Sequence, residues 1–403
     1  MRAYSASSEE ALRARTLLKD WFVEGLLTPA QYPQMEQETV CDLRRTNIFL
    51  RLVLFFFTLI IVNAAVALFF VVFLSRPGMR VTGILLLIFA LFSYAAAESV
   101  VSQGRLYRYG IEESLAACSV GLLCAGIQFA CFEGRSYSPA SHQMEFLVPL
   151  AGTLASLWVW RRFGLVYAFL AAMIFIVFVP GHWTSSLPVQ HSIVAAFYAA
   201  GLITVAAARS RHRFTYLDEG YSMVEALLWL GIYLAINLQL SSVDLLGQWL
   251  GRGLQPATEF SRPFYWTTWV LTWCLPPAVL ARGLRSKDRF VIAVGALAAV
   301  LTLITNKPYL GWQRHTWDPM LLGALLSGVV LFIRRWLARG PGGIRRGFTA
   351  QRLSGKDKRW LTAGTTALGL VSPHAITPSP QTDSPGVRFG GGDSGGAGAS
   401  SDF

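Results

Sequence analysis

Glu225, Trp229, Tyr233, Asn237 and Ser241 recur every four residues inside a long apolar run, with Asp244 beyond them. Wound into a helix, that spacing makes a slowly drifting polar stripe on one face. Such groups are costly in hydrocarbon, so the stripe should point into a helix bundle, toward a cavity or a partner helix. Facing a cavity, Glu225 or Glu98 would hold a proton or cation and Asn237 would contact a solute, which is transporter chemistry. Facing protein, the glutamates would make interfacial ion pairs and Asn237 an interhelical hydrogen bond. The glutamates stand near the ends of apolar runs, where desolvation costs less, so the second reading is preferred. Glu112 and Glu113 open another run at the same depth as Glu98 and Glu225, and are expected to meet Arg105 and Arg108 there.

A second grouping is Cys131, Arg135 and His142, at one end of an apolar run and in the connection after it. A thiolate, a cation and an imidazole are the residue types that a membrane cysteine transpeptidase uses. No flanking signature accompanies them, and chance clustering is the preferred explanation. His182, His191 and His315 fall on three separate connections without a spacing such as H-E-x-x-H. The cysteine count is odd, with no C-x-x-C pair, so neither a disulfide framework nor a zinc site follows. No catalytic residue, metal or cofactor is expected, and the chain is read as non-enzymatic.

The elements that must carry these residues are about ten apolar runs between Ile48 and Leu337, each near the length of a bilayer-spanning helix. They cover residues 48–74, 81–98, 111–131, 146–160, 163–179, 189–208, 221–248, 264–281, 290–305 and 320–337. Composition agrees: 53% of residues are apolar and only 14% charged, whereas a soluble domain carries about a quarter charged residues. Lys and Arg concentrate in alternate connections. With the N-terminus inside, 28 lie on the inner side and 7 on the outer, accounting for all 35. The net charge of +12 is thereby explained by contact with anionic lipid at the cytoplasmic face, without a nucleic-acid partner. Aromatic groups such as Phe264, Tyr265, Trp266 and Trp269 read as an interfacial belt.

Outside the runs, residues 8–25 show a helical pattern through Leu18, Trp21 and Phe22, with Gly25 as a stop. Thr28-Pro29-Ala30-Gln31 then resembles a capped helix start, with Thr28 as N-cap, Gln31 closing a capping box and Leu27 placed to staple onto Tyr32. Pro33 should delay or kink that helix. No cleavable signal peptide is expected in residues 1–47, which are read as a cytosolic helical hairpin. Residues 338–403 are basic and then rich in Pro, Gly and Ser, the composition of a flexible tail.

Trp21-Phe22-Val23-Glu24-Gly25-Leu26-Leu27-Thr28-Pro29-Ala30-Gln31 resembles the opening of a bacterial family of multi-pass membrane proteins of unknown function. The resemblance implies a bacterial inner-membrane protein with a cytosolic helical hairpin, and brings no catalytic residues with it. The expectation is therefore an all-α polytopic transmembrane bundle, with the hairpin at 1–47, the membrane domain at 48–337, the tail at 338–403 and both termini cytoplasmic. Functionally it is expected to be an accessory or scaffold component, with hairpin or tail reaching a protein partner. The alternative is a transporter using Glu98, Glu225, Tyr233 and Asn237.

Overall fold

The computed structural model describes residues 2–23, 25–39, 43–44, 46–73, 78–131, 145–212, 215–241, 260–312, 315, 317–341, 344–346 and 348–349. The chain divides into two compact units, Met1–Trp336 and Leu337–Phe403.

Local sequence decides the first two helices. Helix α1 (Ala6–Val23) ends where Gly25 adopts a left-handed φ of 76°. There the Gly25 and Leu26 amides donate to the Phe22 and Trp21 carbonyls, the paired bonds of a Schellman ending. Helix α2 (Gln31–Glu38) begins at a reciprocal capping box: the Thr28 amide donates to the Gln31 side chain at 3.1 Å, and the Gln31 amide to the Thr28 hydroxyl at 3.3 Å. Pro33 neither delays nor breaks α2. It lies in the first turn, where backbone donors have no intrahelical partner. Tyr32 packs on Phe22, with ring centroids 4.7 Å apart, and Arg15 pairs with Glu36 at 2.7 Å.

Helices then occupy the apolar runs: α3 (Ile48–Phe73), α4 (Met79–Ser102), α5 (Ile111–Cys131), α6 (Leu147–Phe163), α7 (Val166–Phe178), α8 (Leu187–Arg211), α9 (Asp218–Ile236), α10 (Leu238–Ser241), α11 (Arg262–Ser286), α12 (Arg289–Tyr309) and α13 (Asp318–Ala338). Among the described residues, 7 helices, namely α3, α4, α5, α8, α9, α12 and α13, are long and apolar enough to cross a membrane. Helices α6 and α7 have 17 and 13 residues, about 26 and 20 Å at the helical rise, against a hydrocarbon core of about 30 Å. Helix α11 is long, but its tryptophans, threonines and Pro276-Pro277 dilute its apolar character.

Helix α4 lies against α5, which also meets α3 and α6, and α6 pairs with α7. Helix α8 lies against α9, α9 against α12, and α11 against α12. Glycines permit these approaches. A Cβ on Gly126 would come within 2.9 Å of the Leu87 backbone, one on Gly283 within 2.9 Å of Ile292, and one on Gly295 within 3.0 Å of Leu280. Small residues of this kind hold helices together where the apolar effect offers no drive between them. Two cores result. One gathers Ala97, Val101, Leu115, Phe163 and Leu165, the other Phe169, Tyr198, Val224, Leu228 and Ile232. Helix α13 buries none of its residues and α3 only Val66.

In the second unit, Ile344–Arg345 pairs antiparallel with Phe348–Thr349, a two-residue ladder inside the tail expected to be flexible throughout. Expectations for residues 350–403 lie outside the described residues.

Gly110 precedes α5 with φ 103°, and a Cβ there would run into the Arg51 carbonyl. Gly110→Ala should therefore cost about 2–4 kcal/mol, combining the left-handed penalty with overpacking. The thermal midpoint of the detergent-purified protein checks it, and an unchanged midpoint would mean that the turn gives way.

Candidate functional site

Most ion pairs among the described residues collect at one end of the helices, where starts and finishes of the apolar runs meet; Lys307–Asp318 is at the other end. The densest cluster centres on Arg209 in the last turn of α8. Its Nη1 reaches Glu225 Oε2 at 2.7 Å and Asp288 Oδ2 at 2.5 Å, while Nε reaches Asp218 Oδ1 at 3.0 Å. Glu225 is 1% exposed, and its other oxygen accepts from Arg282 Nε at 3.2 Å. Asp288, in the short connection between α11 and α12, also accepts from the Ser222 hydroxyl at 2.6 Å. Its Oδ1 caps α12, accepting from the Phe290 amide at 2.9 Å. One guanidinium thus ties α8, α9 and the α11–α12 turn together, with its fork matched to carboxylates as planar arginine allows.

Burial alone would push the Asp288 carboxyl up, but the Ser222 hydroxyl and the Arg209 guanidinium outweigh it and hold the group below the ordinary aspartate value. A depressed folded-state value gives stability that is present above the ordinary value of about 4 and is lost as pH falls through the folded value. Asp288→Asn should therefore flatten the acid limb of a plot of thermal midpoint against pH. A limb identical to that of the native protein would assign the acid loss to other carboxylates.

The stripe of α9 is spent on protein. Tyr233 exchanges a hydrogen bond with Thr302 at 2.9 Å. Asn237, with no exposed surface, donates to Tyr233 at 2.9 Å and to Thr305 at 3.0 Å. The stripe is shorter than the sequence implied, because the run 221–248 is not one helix. At Asn237 the backbone turns extended (ψ 92°), the Asn237 side chain accepts from the Gln239 amide, and the Leu238 amide leaves the helical ladder to donate to the Tyr309 hydroxyl at 2.7 Å. Ser241 accordingly belongs to α10, and Asp244 lies outside the described residues. Trp229 shares the face, and its indole N–H has no partner among the described residues.

Glu98 does not join this group. It sits at the end of α4 and accepts from Arg162 at 2.6 and 2.8 Å and from the Tyr94 hydroxyl at 2.9 Å. Glu113 pairs with Arg51 of α3. Glu112, without exposed surface, reaches back to the Tyr109 amide at 2.6 Å, and its second oxygen has no partner among the described residues. Glu98 is therefore held by Arg162 and Glu113 by Arg51, where Arg105 and Arg108 were the expected neighbours. Those two residues adopt left-handed φ values of 49° and 51° in the turn before α5, where the Arg105 and Arg44 backbones pair.

The segment before α1 completes this end. The Ala3 amide donates to the Arg162 carbonyl at 2.8 Å, and Tyr4, 6% exposed, inserts among Ala97, Val101, Leu115 and Phe163 and meets Tyr107 edge-on. Arg2 pairs with Glu9 at 3.2 Å and lies over the Tyr216 ring, while Arg13 donates to the Thr215 carbonyl at 2.6 Å. Burial pushes the Glu9 carboxyl up in spite of Arg2. This strap joins the α4–α7 half to the α8–α9 connection. Its sequence signal was poor, since nothing marks Tyr4 as a core residue. Asp288 was more legible, being the lone acid in the basic stretch Arg285 to Arg289.

Cys131 ends α5 as an exposed free thiol, while Arg135 and His142 lie outside the described residues. His191 Nδ1 stands 2.9 Å from the Ala235 carbonyl and His315 stacks on Trp317. Among the described residues no three His, Cys, Asp or Glu side chains are grouped to hold a metal.

Comparison of the chain with protein-family models, with curated proteins and with solved structures finds no match.

Proposed function

We propose that this chain is a non-enzymatic accessory or scaffold component of a bacterial inner-membrane system. Ten spans place the hairpin, the ionic end and the tail in the cytoplasm, the basic connections meet anionic lipid, and the hairpin or tail holds a protein partner. The apolar surface of the α1–α2 pair carries this reading. Trp21 is 42% exposed, Val23 68%, Leu26 68% and Met35 39%, on two helices and the turn between them, outside the apolar runs. Apolar surface gathered on a soluble element marks a contact site. The bundle beneath supports the same reading, because Glu225, Tyr233 and Asn237 are engaged by neighbouring helices.

The test is purification of the tagged protein from native membranes in mild detergent, beside a Trp21→Ala/Leu26→Asp variant and a chain lacking residues 340–403. A stoichiometric partner lost from either variant is the expected result, and an identical set of co-purifying proteins in all three would end the reading. Orientation has its own check: an impermeant maleimide added to intact cells should label Cys131, and labelling only after permeabilisation would invert the topology.

A transporter is the second reading, favoured by the break at Asn237 and by Pro276-Pro277 within α11. Interrupted helices in one bundle are how transporters build a midplane site. Here Glu225→Gln or Asn237→Ala would abolish solute uptake by reconstituted protein while the tail truncation leaves it intact. A transpeptidase reading rests on Cys131, Arg135 and His142, and activity surviving Cys131→Ser would remove its nucleophile.

A further inference from the structure

Helices α4, α5 and α6 line a half-open cavity of 360 Å³, within the range of about 300–1,000 Å³ typical of ligand sites. Its floor is buried, with Ala90, Val120 and Val159 at 4%, 9% and 4% exposure. Its rim faces outward, with Leu91 at 70% and Trp158 at 55%. The lining along α4 runs from Leu87 to Tyr94, about 10 Å at the helical rise, which is a large part of one leaflet of hydrocarbon about 15 Å deep. An apolar slot of this length, open on its side, fits a hydrocarbon chain and offers a polar solute almost nothing.

Besides Ser119, whose hydroxyl is turned back onto the Ala116 carbonyl at 2.7 Å, the polar groups of the lining are those of Tyr94 and Trp158. Trp158 Nε1 donates to the Tyr94 hydroxyl at 2.8 Å, Tyr94 donates to Glu98 at 2.9 Å, and Glu98 is held on both oxygens by Arg162. Arg162 is thus matched by Glu98. Arg161 is exposed, and Trp158, Arg161 and Arg162 share one face of α6 at spacings of three and four. A chain lying in the slot would bring its head group to the Arg161 guanidinium one turn beyond the Trp158 ring. A guanidinium there matches a phosphate oxygen pair by geometry and by charge.

We propose that this groove binds one chain of an anionic phospholipid, with the lipid phosphate held at Arg161 beside the Glu98–Arg162 pair. The site rests on the reading of α3–α13 as membrane-embedded, but not on which face is cytoplasmic nor on the accessory role.

The test uses the full chain purified in mild detergent, washed free of bulk lipid and examined by native mass spectrometry after titration with phosphatidylglycerol or phosphatidylcholine. A single phosphatidylglycerol should be retained in preference to phosphatidylcholine. Ala155→Trp, which fills the slot from α6, should weaken retention of both lipids at least about tenfold. Arg161→Gln should abolish the preference and leave chain binding. Thermal midpoints equal to that of the native protein show that both variants are folded. Equal retention by the Ala155→Trp variant, or equal binding of the two lipids by the native protein, overturns the proposal. Displacement of the lipid by inorganic phosphate alone would assign the site to a free anion and overturn it as well. Recovery of the protein in the alkaline-washed soluble fraction would instead overturn the membrane reading beneath it.

Discussion

Replacing Arg209 by methionine should cost about 3–5 kcal/mol, the usual penalty for removing one partner of a buried ion pair. The side chains of Glu225 and Asp288 are 2% and 3% exposed, and both lean on the same Nη1. Without it, Glu225 keeps, among the described residues, only Arg282, whose own side chain is half exposed, and Asp288 keeps the Ser222 hydroxyl and two α12 amides. The loss should appear as a large fall in the thermal midpoint of detergent-purified protein and in its yield from membranes. Adding Glu225→Gln to Arg209→Met should recover part of the loss, because it removes one of the stranded charges. The recovery separates electrostatic stranding from lost packing of the arginine stem. A midpoint for Arg209→Met within about 0.5 kcal/mol of the native one, the scale of an ordinary surface change, would show that water reaches the cluster and that Arg209 holds nothing together.

Tyr4 offers a second large effect whose sign depends on what replaces it. Truncation to alanine empties a core position between Ala97, Leu115 and Phe163 and should cost about 3–5 kcal/mol, as for other buried aromatics. Limited proteolysis should then cut α1 faster, because the strap that ties residues 2–13 to Arg162 and Thr215 has lost its anchor. Tyr4→Phe should do the reverse. The Tyr4 hydroxyl is buried with no partner among the described residues, and a stranded polar group costs about 1–3 kcal/mol. Removing it should leave stability unchanged or raised. A marked loss on Tyr4→Phe would mean that the hydroxyl is bonded in the membrane-embedded protein.

What the sequence determined by itself was local. Gly25 and the Thr28–Gln31 pair end one helix and start the next through groups at most five residues apart, so a reader of the chain needs no fold to place them. The apolar runs are equally self-contained, since each helix must satisfy its own backbone in hydrocarbon whatever lies beside it. Polar residues at the ends of those runs were therefore recognised as expensive and in need of partners.

Only the tertiary structure decided which partners these are. Glu98 meets Arg162 and Arg51 meets Glu113 across more than sixty positions of chain, and Asp288 reaches Arg209 across 79. The break at Asn237 likewise depends on Tyr309, 71 residues on, whose hydroxyl takes the amide that a continuous helix would have used. Tyr4 reads as an ordinary residue near the start of the chain until Ala97 and Phe163 close around it. The physical reason is the same in each case. Helices that are apolar all round carry no stripe to say which neighbour they face, and association in lipid is settled by close packing at glycines and by single polar contacts, all of which exist only once the helices are side by side.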